Sequence, residues 1–83
     1  MSLDIRIAEL IAVGASVTAN CQPCLQYHVG KARECGADDQ DIADAVTVGK
    51  SVRQGAAAKM DAMAAGLSRS ALTPAPGGCC GRG

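Results

Sequence analysis

The residues with chemistry in them sit close together. Residues 20–28 read NCQPCLQYH, so Cys21 and Cys24 stand three apart with Pro23 between them, and His28 follows Cys24 by four. Pro23 suits the first turn of a helix, where its missing N–H costs nothing. Both sulfurs then lie at the positive end of that helix, whose free N–H groups and dipole favour thiolate over thiol. Four residues on, His28 falls one turn further along the face of Cys24. It can take the thiol proton or pair with the thiolate, the arrangement of an activated cysteine nucleophile. A pair at this spacing also closes a disulfide without a long loop. Two other readings fit the same residues. Cys21, Cys24 and His28 could be three ligands of a zinc site, with a fourth from Cys35, a carboxylate or the distant Cys79 and Cys80. Alternatively they are small residues at a crowded helix junction, with His28 bonded to a backbone carbonyl.

Glu9 bears on that choice. It is the sole charge between Ile7 and Asn20, inside the most apolar stretch of the chain. A carboxylate there is costly unless it is paired. A helix that stops at Asn20 and folds back into the next carries His28 toward the level of Glu9, leaving a gap of a few ångströms for a water. A Glu that orients a His that activates a Cys is a working relay. The competing outcome is a Glu9 that reaches solvent or pairs with Arg6.

Three helices must hold these groups. The first is expected from Asp4 to Asn20, with Leu3, Ile7, Leu10, Ile11, Gly14 and Val17 on one face and Ala8, Ala12, Ala15 and Ala19 on a second. Two apolar faces predict burial on most sides. The second helix begins within the cysteine motif and ends at Gly36, a natural stop, with Lys31 and Arg33 near its negative end. Asp38 caps the third, and Asp39 and Asp41 suit its positive end. Apolar spacing from Ile42 carries that helix to Leu67, roughly 40 Å if unbroken. Gly55 is a point where it could kink or stop. An outer half this far from the core is expected to pack on a neighbouring subunit.

Glu9, Cys21-Gln22-Pro23-Cys24, His28, and Ala32 and Gly36 at further four-residue steps together resemble the core of alkyl hydroperoxidase D. That core belongs to the wider carboxymuconolactone decarboxylase superfamily, and the resemblance covers residues 3–55. It implies an all-α fold, a small antiparallel helical hairpin or bundle completed by oligomerisation as a homo-oligomer, a trimer or hexamer. It implies a thiol-dependent peroxidase or thiol–disulfide oxidoreductase with a peroxide or disulfide substrate, a dithiol reductant and no cofactor. By the same resemblance Cys24 is the attacking thiolate, Cys21 the proton donor and resolving thiol, His28 the base and Glu9 its partner. Helix-dipole reasoning alone leans toward Cys21, the more amino-terminal sulfur; the spacing of His28 points to Cys24, as the family does. The decarboxylase branch works without the cysteine pair, so lactone decarboxylation is not implied here. The second helical half of the full hydroperoxidase is missing, and another subunit is expected to supply it.

Composition agrees with a small, self-associating helical protein. The chain has 83 residues, 48% of them apolar, but no Phe or Trp, and Tyr27 is its single aromatic residue. So light a core buries little area per residue. The formal net charge is zero, without the basic stripe of a nucleic-acid binder. No apolar run reaches the roughly 18–20 residues that span a bilayer. The start MSLDIR lacks a basic and then apolar leader, which predicts a cytoplasmic protein. Five cysteines in a reducing compartment point to redox chemistry or metal binding before structural disulfides.

The organisation read from the sequence is a helical core over 1–67 and a flexible Pro/Gly/Cys-containing tail over 68–83. Cys35, at the end of the second helix, is expected to be a spectator thiol. Cys79 and Cys80 could form a vicinal disulfide, exchange with the Cys21–Cys24 pair, or hold a soft metal or metalloid; otherwise the tail is dispensable. A cysteine-based metal binder and a non-catalytic helical assembly module are the rivals to the enzyme.

Overall fold

A computed structural model describes residues 2–71, which form three helices: α1 (Ile5–Thr18), α2 (Gln22–Glu34) and α3 (Asp39–Ala71). No strand occurs among the described residues. Cys79, Cys80 and the rest of the expected tail from residue 72 onward lie outside them.

Local chemistry sets the helix ends. α1 stops because Asn20 takes the left-handed conformation, φ 57°, which Asn tolerates better than most side chains. The Asn20 N–H then bonds the Val17 carbonyl at 3.1 Å and the Cys21 N–H bonds that of Ser16 at 3.0 Å. These close the open carbonyls of the last turn. α2 stops the same way at Gly36, φ 97°, with Gly36 N–H on Arg33 and Ala37 N–H on Ala32, at 3.1 and 2.9 Å. α3 opens on a reciprocal cap in which Asp41 N–H donates to Asp38 Oδ1 at 2.8 Å and Asp38 N–H to Asp41 Oδ2 at 3.3 Å. Arg6 donates to the same Asp41 oxygen at 3.1 Å, joining the starts of α1 and α3.

The core lies where the three helices meet. Val13 and Ala32 are fully buried, Ala37 and Ile42 nearly so, and Leu10, Leu25, Val29 and Val46 pack around them. α1 crosses α3 backbone to backbone at Gly14 and Gly49. A Cβ on Gly49 would run into the Gly14 carbonyl and come within 3.0 Å of the Val17 Cβ; one on Gly14 would lie 3.1 Å from the Ala45 carbonyl. Thr18 Oγ1 seals the crossing, 2.9 Å from the Gly49 carbonyl.

Two expectations about the helices differ from what is found. The buried residues of α1 are Val13, Ser16 and Val17, whereas Ile7 and Ile11 are 39% and 56% exposed. One chain covers only one side of α1, so the expected first face is split: Leu10 and Val17 turn inward while Ile7 and Ile11 are left bare, as are Ala15 and Ala19 of the second. α3 is also longer than its spacing suggests. It passes Gly55 unbroken and takes in residues 68–71, the start of the expected tail, giving 33 helical residues or about 50 Å. Nothing lies within 4 Å of a Cβ placed at Gly55, and the outer side chains Met60, Met63 and Leu67 are 65%, 65% and 64% exposed.

Candidate active site

Cys21 is where α1 passes into α2. Its N–H completes the end of α1, and its carbonyl accepts the Leu25 N–H at 3.0 Å, the first bond of α2. The residue is the N-cap of α2 in extended conformation, φ −100°, ψ 98°, and Pro23 follows in the first turn. The backbone is thus fixed on both sides of the sulfur. Cys21 and Cys24 form a disulfide with their Cα atoms 5.3 Å apart. Cys21 is half-buried and Cys24 exposed, and no acidic side chain occupies the first turn of α2.

His28 stands one turn beyond Cys24 on the same helix. Its Nδ1 lies 2.7 Å from Glu9 Oε1, closing directly the gap that helix lengths leave for a water. Both side chains are largely covered, 30% exposed for His28 and 18% for Glu9. Arg6, the rival partner, is taken by Asp41 at 3.1 Å and Asp4 at 3.8 Å. With Glu9 accepting a hydrogen bond from Nδ1–H, Nε2 is left as the proton-accepting atom of the imidazole. The Tyr27 ring meets His28 edge-on, with centroids 5.0 Å apart and planes at 84°. The four groups singled out in the sequence thus form two contacting pairs, Glu9 with His28 and Cys21 with Cys24, and His28 follows Cys24 by one turn of α2.

Cys35 stays apart. It is a free, half-buried thiol at the carboxyl end of α2, the opposite end from the disulfide. Among the described residues no three His, Cys, Asp or Glu side chains gather as a metal site.

The sequence reading missed two residues beside the disulfide. A pocket of about 280 Å³ opens between the α1–α2 junction and α3, lined among others by Cys21, Val17, Leu25, Val46, Lys50 and Arg53. Arg53 Nη1 donates to the Val17 carbonyl at 3.2 Å and to Asn20 Oδ1 at 2.9 Å, tying the end of α1 to α3. Val46, Lys50 and Arg53 follow helical spacing, a signal available in the sequence. Scattered lysines and arginines on a helix are ordinarily solvated, however, and nothing local sets these two apart. A second, larger groove of about 690 Å³ runs along the other side of the α1–α3 crossing. Ile7, Ile11, Ala15, Val48 and Val52 are among the residues that line it.

Comparison with known proteins gives two matches. The model of the family described as "Carboxymuconolactone decarboxylase family" matches residues 2–67. A Paracoccus denitrificans protein named "Uncharacterized protein 4 in cox locus" is 39% identical over 56 residues, 68% of this chain and 50% of that protein. The chain thus spans about half the length of the curated relative it matches. No solved structure gives a significant match. No helix among the described residues is long and apolar enough to cross a membrane.

Proposed function

The chain belongs to the carboxymuconolactone decarboxylase family, and on that premise we propose that it is a thiol–disulfide oxidoreductase whose oxidising substrate is a hydroperoxide. The observation that carries the proposal is the 2.7 Å contact of Glu9 with His28 Nδ1, one helical turn from the Cys21–Cys24 pair. A partly covered carboxylate is spent on orienting an imidazole, and the group within one turn of that imidazole is a cysteine at a helix start.

The cycle starts from the reduced pair. His28 Nε2 takes the Cys24 proton, and the thiolate attacks the terminal peroxide oxygen. An S–O bond forms as the O–O bond breaks, and the departing alkoxide takes the Cys21 proton to leave as alcohol. The Cys21 thiolate then attacks the Cys24 sulfenic sulfur. The S–S bond forms, hydroxide leaves, and the proton held on His28 converts it to water. An external dithiol returns two electrons and two protons to restore both thiols. Glu9 supports the imidazolium that exists between the first and last proton transfers.

Self-association belongs to the same reading. The groove beside the glycine crossing and the bare outer half of α3 are two apolar surfaces on a chain whose own core is small. A second copy of the chain covers them.

The test is consumption of hydrogen peroxide and of an organic hydroperoxide in the presence of a dithiol, comparing wild type with Cys24→Ser. Turnover by wild type that the variant loses is the expected result. No peroxide turnover, with a Cys21–Cys24 bond that still exchanges quickly with dithiols, would reduce the function to disulfide exchange. Inert thiols would overturn it.

A further inference from the structure

We propose that the thiol that reopens the Cys21–Cys24 bond is an anionic one, drawn to Cys21 by Lys50 and Arg53. This rests on the redox function proposed above and adds to it the charge of the reducing partner.

The pocket carries the inference. Cys21 lines it and Cys24 does not, so a molecule seated there meets the disulfide from the Cys21 side. Its walls include the apolar Val17, Leu25 and Val46, the two cations, and no carboxylate. Lys50 is exposed, and neither cation forms an ion pair among the described residues. Arg53 makes both of its hydrogen bonds through Nη1, leaving Nη2 and Nε for another acceptor. Two unneutralised cations at the lip of a pocket raise the local concentration of small anions. At about 280 Å³ the space suits a few heavy atoms: an alkyl segment on the apolar wall, an acid group between the cations and a sulfur toward Cys21.

The chemistry balances with two equivalents of such a thiol or with the two sulfurs of one dithiol. Its thiolate attacks Cys21 Sγ; a mixed disulfide forms, the Cys21–Cys24 bond breaks, and Cys24 leaves as thiolate one turn from His28. A second thiolate attacks the sulfur of the bound thiol, giving the free small-molecule disulfide and the Cys21 thiolate. Two electrons pass from the thiols to the protein, and their two protons end on Cys21 and Cys24.

The experiment uses the full oxidised protein and three monothiols of similar size and different charge: 3-mercaptopropionate, 2-mercaptoethanol and cysteamine. Opening of the Cys21–Cys24 bond is followed by mass spectrometry and expressed per thiolate. The anionic thiol should outrun the neutral one by about five- to twentyfold at low salt, two exposed charge contacts each being worth a few-fold, and the cationic thiol should be slowest. The preference should collapse toward unity in 1 M salt, roughly where the screening length falls to 3 Å. Lys50→Glu should reverse the order of the anionic and cationic thiols. The charge change is placed on Lys50 because Arg53 also ties α1 to α3. Because the result is read as a ratio between thiols, a general loss of fold or reactivity cancels. Equal rates for all three thiols, or a ratio that Lys50→Glu does not move, overturns the anionic partner and leaves the redox function standing. A bond that dithiothreitol opens but none of the three does overturns the anionic partner alone, and a bond that resists dithiothreitol as well overturns both.

Discussion

Glu9 meets His28 through the fold, since the two lie on different helices and the contact spans 19 residues of sequence. Removing the imidazole therefore has two separate consequences. His28→Ala should slow alkylation of reduced Cys24 by about a hundredfold, the usual scale of a positioned base. It should also destabilise the fold by about 1–3 kcal/mol, because a carboxylate that is mostly covered loses its partner. Glu9→Gln should slow the same alkylation by a smaller factor, since the ring remains but its proton is no longer fixed at Nδ1. The exposed Lys31–Glu34 pair, 3.4 Å apart, behaves differently. The hydrogen bond from Lys31 to Glu34 raises the lysine pKa above its ordinary 10.5. A raised folded-state value means that any stabilisation is present at neutral pH and is lost as the pH climbs through the lysine range. Glu34→Gln should leave the urea midpoint at pH 7 unchanged within error. Residue type and spacing were enough to single out Cys21, Cys24, His28 and Glu9. They did not give the direct Glu9–His28 contact, because linear helix lengths ignore how tightly a left-handed Asn20 turns the chain. Lys50 and Arg53 escaped because a cation's partner in a pocket is set by the crossing of α1 and α3, which no local pattern encodes.

At the scale of the helices, glycines at two kinds of position call for opposite outcomes. Gly49→Ala puts a methyl into the Gly14 backbone and should lower stability by about 1–3 kcal/mol, the range for overpacking. Gly55→Ala meets nothing within 4 Å and should raise it by about 0.5–1 kcal/mol through helix propensity. Both are read from urea unfolding followed by circular dichroism, at fixed protein concentration. The helix stops at Asn20 and Gly36 and the cap at Asp38 were legible because each is a short-range device whose residues name it. The length of α3 was not, since Ser68, Arg69 and Ser70 lack apolar spacing yet nothing in them breaks a helix, the next proline being Pro74. Nor could spacing say which apolar face of α1 enters the core of one chain. Ile7 and Ile11 satisfy the pattern as well as Leu10 and Val17 do, and only packing separates them.

The whole molecule shows more apolar surface than its small core would lead one to expect. Val48 and Val52 are 62% and 55% exposed beside the groove that Ile7 and Ile11 help to line. If a second copy covers them, Val48→Asp with Val52→Asp should convert the assembly to monomer in analytical ultracentrifugation while helix content falls little. A wild-type chain that sediments as monomer at micromolar concentration would remove self-association from the proposal. The glycine crossing has a mechanical consequence for any such assembly. At Gly14 and Gly49 no side chain separates the two backbones, so sliding one helix along the other drives carbonyl into amide, while rocking about the contact does not. The crossing is a pivot. On the Cys21 side of it, Thr18 and Arg53 bond the end of α1 to α3, so the segment that leads into the disulfide is tethered to follow any tilt of α3.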